Sequence, residues 1–277
     1  MERLLCVTFP MQRLRSDDAE IVYEIVGSGA PVVLLHPFPV HHEFWNPIVP
    51  VLSSRYQLII PDLRGHGDSE IGQGPASMEK HARDLVRLLD AASVVKAAFV
   101  GVSIGGYILF EFWRQFRGRM NKLVLCDTKP QADAAEARAN RLKVAADVME
   151  RGTDPFIESM IPKLLGRTTL NTRPDLLDGA RRMMRKMSPE DISLVQRGMA
   201  ERADSVADLK TINVPTLIVI GEEDILATPA DGELMRQHIA GSQLKIIPKA
   251  GHYAPWEQPE AVGPLLRQFL DSAGTVS

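Results

Sequence analysis

Ser103 lies in the pentapeptide Gly101-Val102-Ser103-Ile104-Gly105, between the apolar run AAFV and an apolar stretch with helical spacing. The pattern is G-x-S-x-G, the nucleophile elbow, in which a serine sits on a sharp strand-to-helix turn. Small residues two before and two after the serine let strand and helix approach without a side-chain clash. The turn lifts the hydroxyl above the sheet and aims the N–H of Ile104 at the same spot. A serine hydroxyl is a weak nucleophile at neutral pH and needs a neighbouring base. His252, in AGHYAPWEQPE, follows the last apolar strand-like run and is the expected base, whereas His238 falls on a helical pattern and reads as surface. The elbow goes with the chain order serine, acid, histidine. Asp224, at the end of VPTLIVIGEED, is the favoured acid, because a carboxylate there can accept the histidine N–H and stabilise the imidazolium. Glu222 and Glu223 are neighbouring alternatives. Asp127, at the end of NKLVLCD, is another, and its other reading is a cap at the strand exit.

These side chains need rigid supports. The recurring unit is a short apolar strand, a loop, then an amphipathic helix. PVVLLH leads to a helical segment through Trp45 and Leu52, YQLIIPD to MEKHARDLVRLLDAA, KAAFVGVS to IGGYILFEFWRQF, and NKLVLCD follows; the pattern resumes at VPTLIVIGEED and QLKIIPKAG. Near-continuous apolar strands alternating with helices predict an α/β fold, with a mostly parallel sheet covered on both faces. Between residues 128 and 205 the alternation stops, and four helical segments are predicted. Pro155, Pro174 and Pro189 stand where first-turn prolines belong. The expected organisation is a core of residues 1–127 and 206–277 with a helical insertion at 128–205. The insertion holds Met149, Met160, Met183, Met184, Met187 and Met199. Methionine can line an adaptable apolar pocket, although packing is its commoner role.

The chain has 277 residues, 45% of them hydrophobic and 24% charged, with a formal net charge of -3. No basic excess argues for nucleic acid. Two cysteines, Cys6 and Cys126, lie far apart in apolar runs, which points to a reducing compartment rather than a disulfide framework. The opening run lacks the length and cleavage site of a signal peptide. No segment approaches the roughly 18 consecutive apolar residues of a membrane helix. A cytoplasmic protein without membrane association is expected, and nothing sets an oligomeric state.

Together with HPFP (His36–Pro39), PDLRGHGDS (Pro61–Ser69), GVSIGGY and GEED, these features resemble the α/β-hydrolase fold superfamily over nearly the whole chain. The nearest group is that of small bacterial esterases, enol-lactonases and cofactor-free perhydrolases with a helical cap. The resemblance implies a small carboxylic ester or lactone as substrate, and neither cofactor nor metal. It also implies an oxyanion hole made by two backbone N–H groups, of Ile104 and of a residue after the first core strand. That family usually reads His-Gly-X-Pro there, and X is the donor. Here X is Phe38, the only residue of Pro37-Phe38-Pro39 that keeps an N–H. Pro37 stands where glycine is usual. The Asp62, Arg64 and His66 loop is expected to be structural, and neither His66 nor the pair His41–His42 comes with a carboxylate pattern typical of a metal site. The serine separates the chain from haloalkane dehalogenases and epoxide hydrolases, which use an aspartate. A C–C bond hydrolase and a perhydrolase stay open on the same triad. The former needs pocket cations, for which Arg181, Arg182 and Arg185 are candidates with a solvent-facing alternative. A small-molecule receptor on this scaffold is the reading from another class.

Overall fold

Valine, isoleucine and leucine runs give the strands of a single sheet, because β-branched and apolar side chains fit a pleated surface buried on both faces. The computed structural model describes residues 11–272. The strands are β1 (Gln12–Ser16), β2 (Ala19–Val26), β3 (Ala30–Leu35), β4 (Tyr56–Pro61), β5 (Ala97–Val102), β6 (Met120–Cys126), β7 (Thr216–Gly221) and β8 (Gln243–Ile247). They lie in the order β1-β2-β4-β3-β5-β6-β7-β8. From β4 to β8 every neighbouring pair is parallel. All residues of β5 and β7 are buried, as expected for strands covered on both faces.

The antiparallel hairpin of β1 and β2 at the sheet edge is an addition to the sequence reading. Its outer strand, QRLRS, is short and charged, which blunts an exposed edge but also hides it from a search for apolar runs. The expectation about Cys6 and the opening run lies outside the described residues. Cys126 is buried as a free thiol.

The helices are α1 (Val49–Leu52), α2 (Met78–Ala91), α3 (Ile104–Phe116), α4 (Ala135–Arg151), α5 (Thr153–Leu164), α6 (Arg167–Thr172), α7 (Pro174–Met184), α8 (Pro189–Ala200), α9 (Pro229–His238), α10 (Ala254–Glu257) and α11 (Pro259–Asp271). Ser77 caps α2, and Leu85, Leu88 and Leu89 turn inward as their spacing requires. Five helices, α4 to α8, fill the connection between β6 and β7, where four were expected. The extra one, α6, contains three threonines in six residues and has little helical propensity of its own. Pro174 and Pro189 open α7 and α8. Pro155 sits in the first turn of α5, which starts earlier, at Thr153. Among the described residues no helix is long and apolar enough to cross a membrane.

Candidate active site

The turn between β5 and α3 places Ser103. Its backbone has φ 54° and ψ −112°, a conformation that costs about 1–3 kcal/mol for a residue with a side chain. The flanking glycines make the turn possible. A Cβ on Gly101 would lie 2.6 Å from the backbone carbon of Gly105, and one on Gly105 would lie 2.9 Å from the Leu35 Cβ. The Ser103 N–H donates to the Cys126 carbonyl at 3.0 Å, and the Thr128 hydroxyl donates to the Ser103 carbonyl at 2.8 Å. The Ser103 backbone is thus fastened to the end of β6.

The loop after β8 brings His252 over the serine, with Nε2 2.8 Å from the Ser103 Oγ. His252 Nδ1 lies 2.7 Å from Asp224 Oδ2. The other Asp224 oxygen accepts the N–H groups of Leu226 and Ala227, at 2.8 and 3.1 Å. All three side chains are buried, and Ser103 keeps 8% exposure. The alternative acids bond elsewhere. Glu222 accepts from the Lys249 N–H, and Glu223 from the N–H and hydroxyl of Thr168. Asp127 accepts the N–H of Gly221 at 2.8 Å and that of Ala254 at 2.9 Å. It therefore ties the strand leading to Asp224 to the residue two beyond His252. Burial, and then the nearby Asp224 charge, push the Asp127 carboxyl well above the usual carboxylate range.

The loop after β3 carries Phe38 to the same place. His36 Nδ1 lies 2.9 Å from the Pro37 carbonyl, while its Nε2 accepts the Leu63 N–H at 2.9 Å. This pairing puts the proton on Nδ1 of a neutral ring, and burial pushes the His36 pKa well down. The Tyr253 hydroxyl donates to the Phe38 carbonyl at 3.1 Å, joining the histidine loop to the Phe38 loop. Among the described residues the N–H groups of Phe38 and Ile104 have no acceptor. No sequence signal singled out Tyr253 or Thr128 for these contacts, because each pairs with a residue remote in the chain.

The PDLRGHGDS loop is an anchor. Arg64 forms a two-point ion pair with Asp84 and bonds Asp18. His66 packs edge-on against Phe38 and His36. Asp62 accepts from the His42 N–H at 2.9 Å, from His42 Nδ1 at 2.7 Å and from the Asp68 N–H at 2.9 Å. Burial opposes its ionisation, yet these bonds and the His42 charge hold its carboxyl well below the usual range. The sequence reading gave His41 and His42 no carboxylate, and this is corrected. Folding brings Asp62 to them, and the three donor atoms lie within 4.8 Å of one another. Both Asp62 oxygens are already engaged by N–H donors there.

A cavity of about 240 Å³ opens above Ser103 and His252, walled by α4, α5 and α8. Met160 and Met199 line it; Met183, Met184 and Met187 pack in the core, and Met149 is 55% exposed. Arg181 and Arg185 turn outward to Glu158 and Asp154, and Arg182 is exposed. The cavity's cations are instead Lys129, Arg141 and Lys163, none of which the sequence marked. Two core carboxylates hold the inserted helices against the site. Glu257 accepts the Gly166 N–H and the Thr169 hydroxyl on one oxygen, and the N–H groups of Gly251 and Tyr253 on the other. Glu223 receives Thr168, and the His252 N–H donates to the Leu164 carbonyl at 3.0 Å. These bonds explain how α6 exists despite its composition.

An esterase from Thermogutta terrifontis, solved with malate bound, is 37% identical, covers 94% of this chain and 98% of its own, and superposes with a TM-score of 0.90. The enol-lactonase from Burkholderia xenovorans LB400 is 25% identical, covers 94% of this chain and all of its own, and gives 0.88. By sequence, 3-oxoadipate enol-lactonase 2 of Acinetobacter baylyi is 26% identical over 250 residues, which is 90% of this chain and 92% of that protein. The family model for the alpha/beta hydrolase fold matches residues 30–259. With its eight-stranded sheet, the serine on a strained turn and a match over most of its length, the chain belongs to the α/β-hydrolase fold family.

Proposed function

We propose that this hydrolase cleaves a small carboxylic ester or lactone through an acyl-enzyme on Ser103. The observation that carries this reading is the hydrogen-bonded series Asp224–His252–Ser103 at the floor of a cavity, beside two unengaged N–H groups. Ser103 Oγ attacks the carbonyl carbon while His252 Nε2 takes its proton. Negative charge collects on the carbonyl oxygen and is held by the N–H groups of Phe38 and Ile104. His252 then gives the proton to the leaving alkoxide, and the C–O bond breaks. Water, deprotonated by His252 Nε2, attacks the acyl carbon; the bond to Ser103 Oγ then breaks, His252 returns the proton to that oxygen, and the acid departs. Asp224 keeps the imidazole in the productive tautomer and stabilises its charged form. Residues 128–205 serve as a cap that shapes the substrate cavity. The esterase and enol-lactonase relatives support the same chemistry.

The test is turnover of a short-chain nitrophenyl ester by the protein and by Ser103→Ala. The substitution removes the nucleophile, and a fall of at least about 10³-fold is expected. A covalent adduct at Ser103 with a fluorophosphonate is the second readout. Full activity in Ser103→Ala, with folding intact, overturns the mechanism.

A further inference from the structure

We propose that the substrate is itself an acid: an ester or lactone bearing a free carboxylate, which Lys129 receives with support from Arg141 and Lys163. This rests on the hydrolytic reading above and narrows its substrate class. The chain as a whole carries a formal net charge of -3, yet the lining of its catalytic cavity has three cations and a single carboxylate, Asp133. Asp133 is already satisfied. It pairs with Arg141 and, at 2.8 Å, with the buried Arg202, whose guanidinium lies 4.1 Å from the centre of the Tyr107 ring. Lys129 and Lys163 are then left without any side-chain or backbone partner among the described residues. Lys163 is exposed, so water answers much of its charge. Lys129 is half-buried, at the exit of β6, next to the Thr128 that bonds Ser103.

An unanswered ammonium in a partly desolvated cavity is unfavourable by itself, and its attraction for an opposite charge is stronger there than in water. A neutral ester would leave it unanswered. A carboxylate satisfies it with a charge-assisted hydrogen bond. The rest of the lining fits the remainder of such a molecule: Phe38, Val144, Phe156 and Leu226 offer apolar walls to a short carbon chain. The position also suits the chemistry. Lys129 and Ser103 line the same cavity of about 240 Å³, so one small bifunctional acid that fills it meets both.

The experiment compares monoethyl esters of four- to six-carbon dicarboxylic acids with the matching diethyl esters, followed by proton release. The protein is expected to favour the half-ester in kcat/KM by about tenfold or more, the usual value of one hydrogen bond to a charged group. Lys129→Met is expected to collapse that ratio by about tenfold, Lys129→Arg to retain most of it, and added salt to shrink it. A protein with no preference, or a Lys129→Met variant with an unchanged ratio, overturns the proposal. Ser103-dependent turnover of the diethyl ester without preference for the half-ester sinks this inference and leaves the hydrolytic reading standing. If neither ester turns over, binding of glutarate to Ser103→Ala, with and without Lys129→Met, decides: equal affinity in the two refutes the carboxylate site.

Discussion

Asp127 and Asp224 follow neighbouring strands, and either could orient a histidine, so exchanging each for asparagine separates their roles. In Asp127→Asn the amide oxygen can keep one of the two N–H donors, Gly221 or Ala254, while the NH₂ group meets the other donor. Leaving a buried N–H without its acceptor costs about 1–3 kcal/mol. Part of this is returned, because burial and the Asp224 charge disfavour the ionised Asp127. The expected net loss is about 1–2 kcal/mol, or roughly 2–8 °C in Tm for a chain of this size. The pH dependence has a definite sign. A raised folded pKa contributes stability that is complete below the unfolded value of about 3.9 and is lost as pH rises through the folded value. The stability gap between wild type and Asp127→Asn should therefore be widest in acid and narrow as pH rises. At temperatures where both are folded, kcat should fall by less than about tenfold, because no bond to His252 is removed. Asp224→Asn takes away the acceptor of the imidazole N–H, and kcat should fall by about four orders of magnitude. Denaturation curves and nitrophenyl ester turnover measure both. If Asp127→Asn loses activity on the scale of Asp224→Asn while its stability holds, the roles have been assigned wrongly.

His42 makes a second pH prediction. Burial opposes its charge, but the bond and charge of Asp62 raise its pKa, so its stabilisation is complete below about 6.5 and is lost as pH rises through the folded value. Unfolding free energy should decline across that step in the wild type, and the step should be absent in His42→Asn; an identical pH profile in the two disproves the linkage. Gly101→Ala places a methyl against the Gly105 backbone at 2.6 Å, and should cost about 2 kcal/mol or more while displacing the Ser103 turn. Near-normal Tm and turnover in that variant would show that the elbow tolerates a side chain there.

Much of the site was legible because the sterics of one turn impose a spacing on five adjacent residues. Gly101, Ser103 and Gly105 carry that constraint locally, and the chain order then points to Asp224 and His252. Phe38 was marked only by the resemblance of HPFP to the family's His-Gly-X-Pro, with the two prolines leaving it the one N–H of that turn. The rest is non-local. The β1–β2 hairpin rests on charged residues that an apolar pattern ignores. Helix α6 exists through Glu223 and Glu257, which lie more than 50 positions away in sequence. Lys129, Arg141 and Lys163 come from three separate elements and share a cavity only after folding, whereas the clustered Arg181, Arg182 and Arg185 find partners or solvent on the outer face of α7.

The carboxylates that receive α6 also bear on how members of this family exchange parts. Glu257 divides its oxygens between the inserted helices and the turn that carries His252. A chimera that replaces residues 128–205 with another hydrolase's helices inherits a socket expecting a glycine N–H and a threonine hydroxyl. Without them, a buried carboxylate loses two of its four donors, and the His252 backbone N–H loses its acceptor at Leu164. Transplants should therefore splice on either side of residues 164–169 and keep that short segment native. The cavity walls contributed by α4, α5 and α8 can then be exchanged without removing the hydrogen bonds that hold the His252 turn.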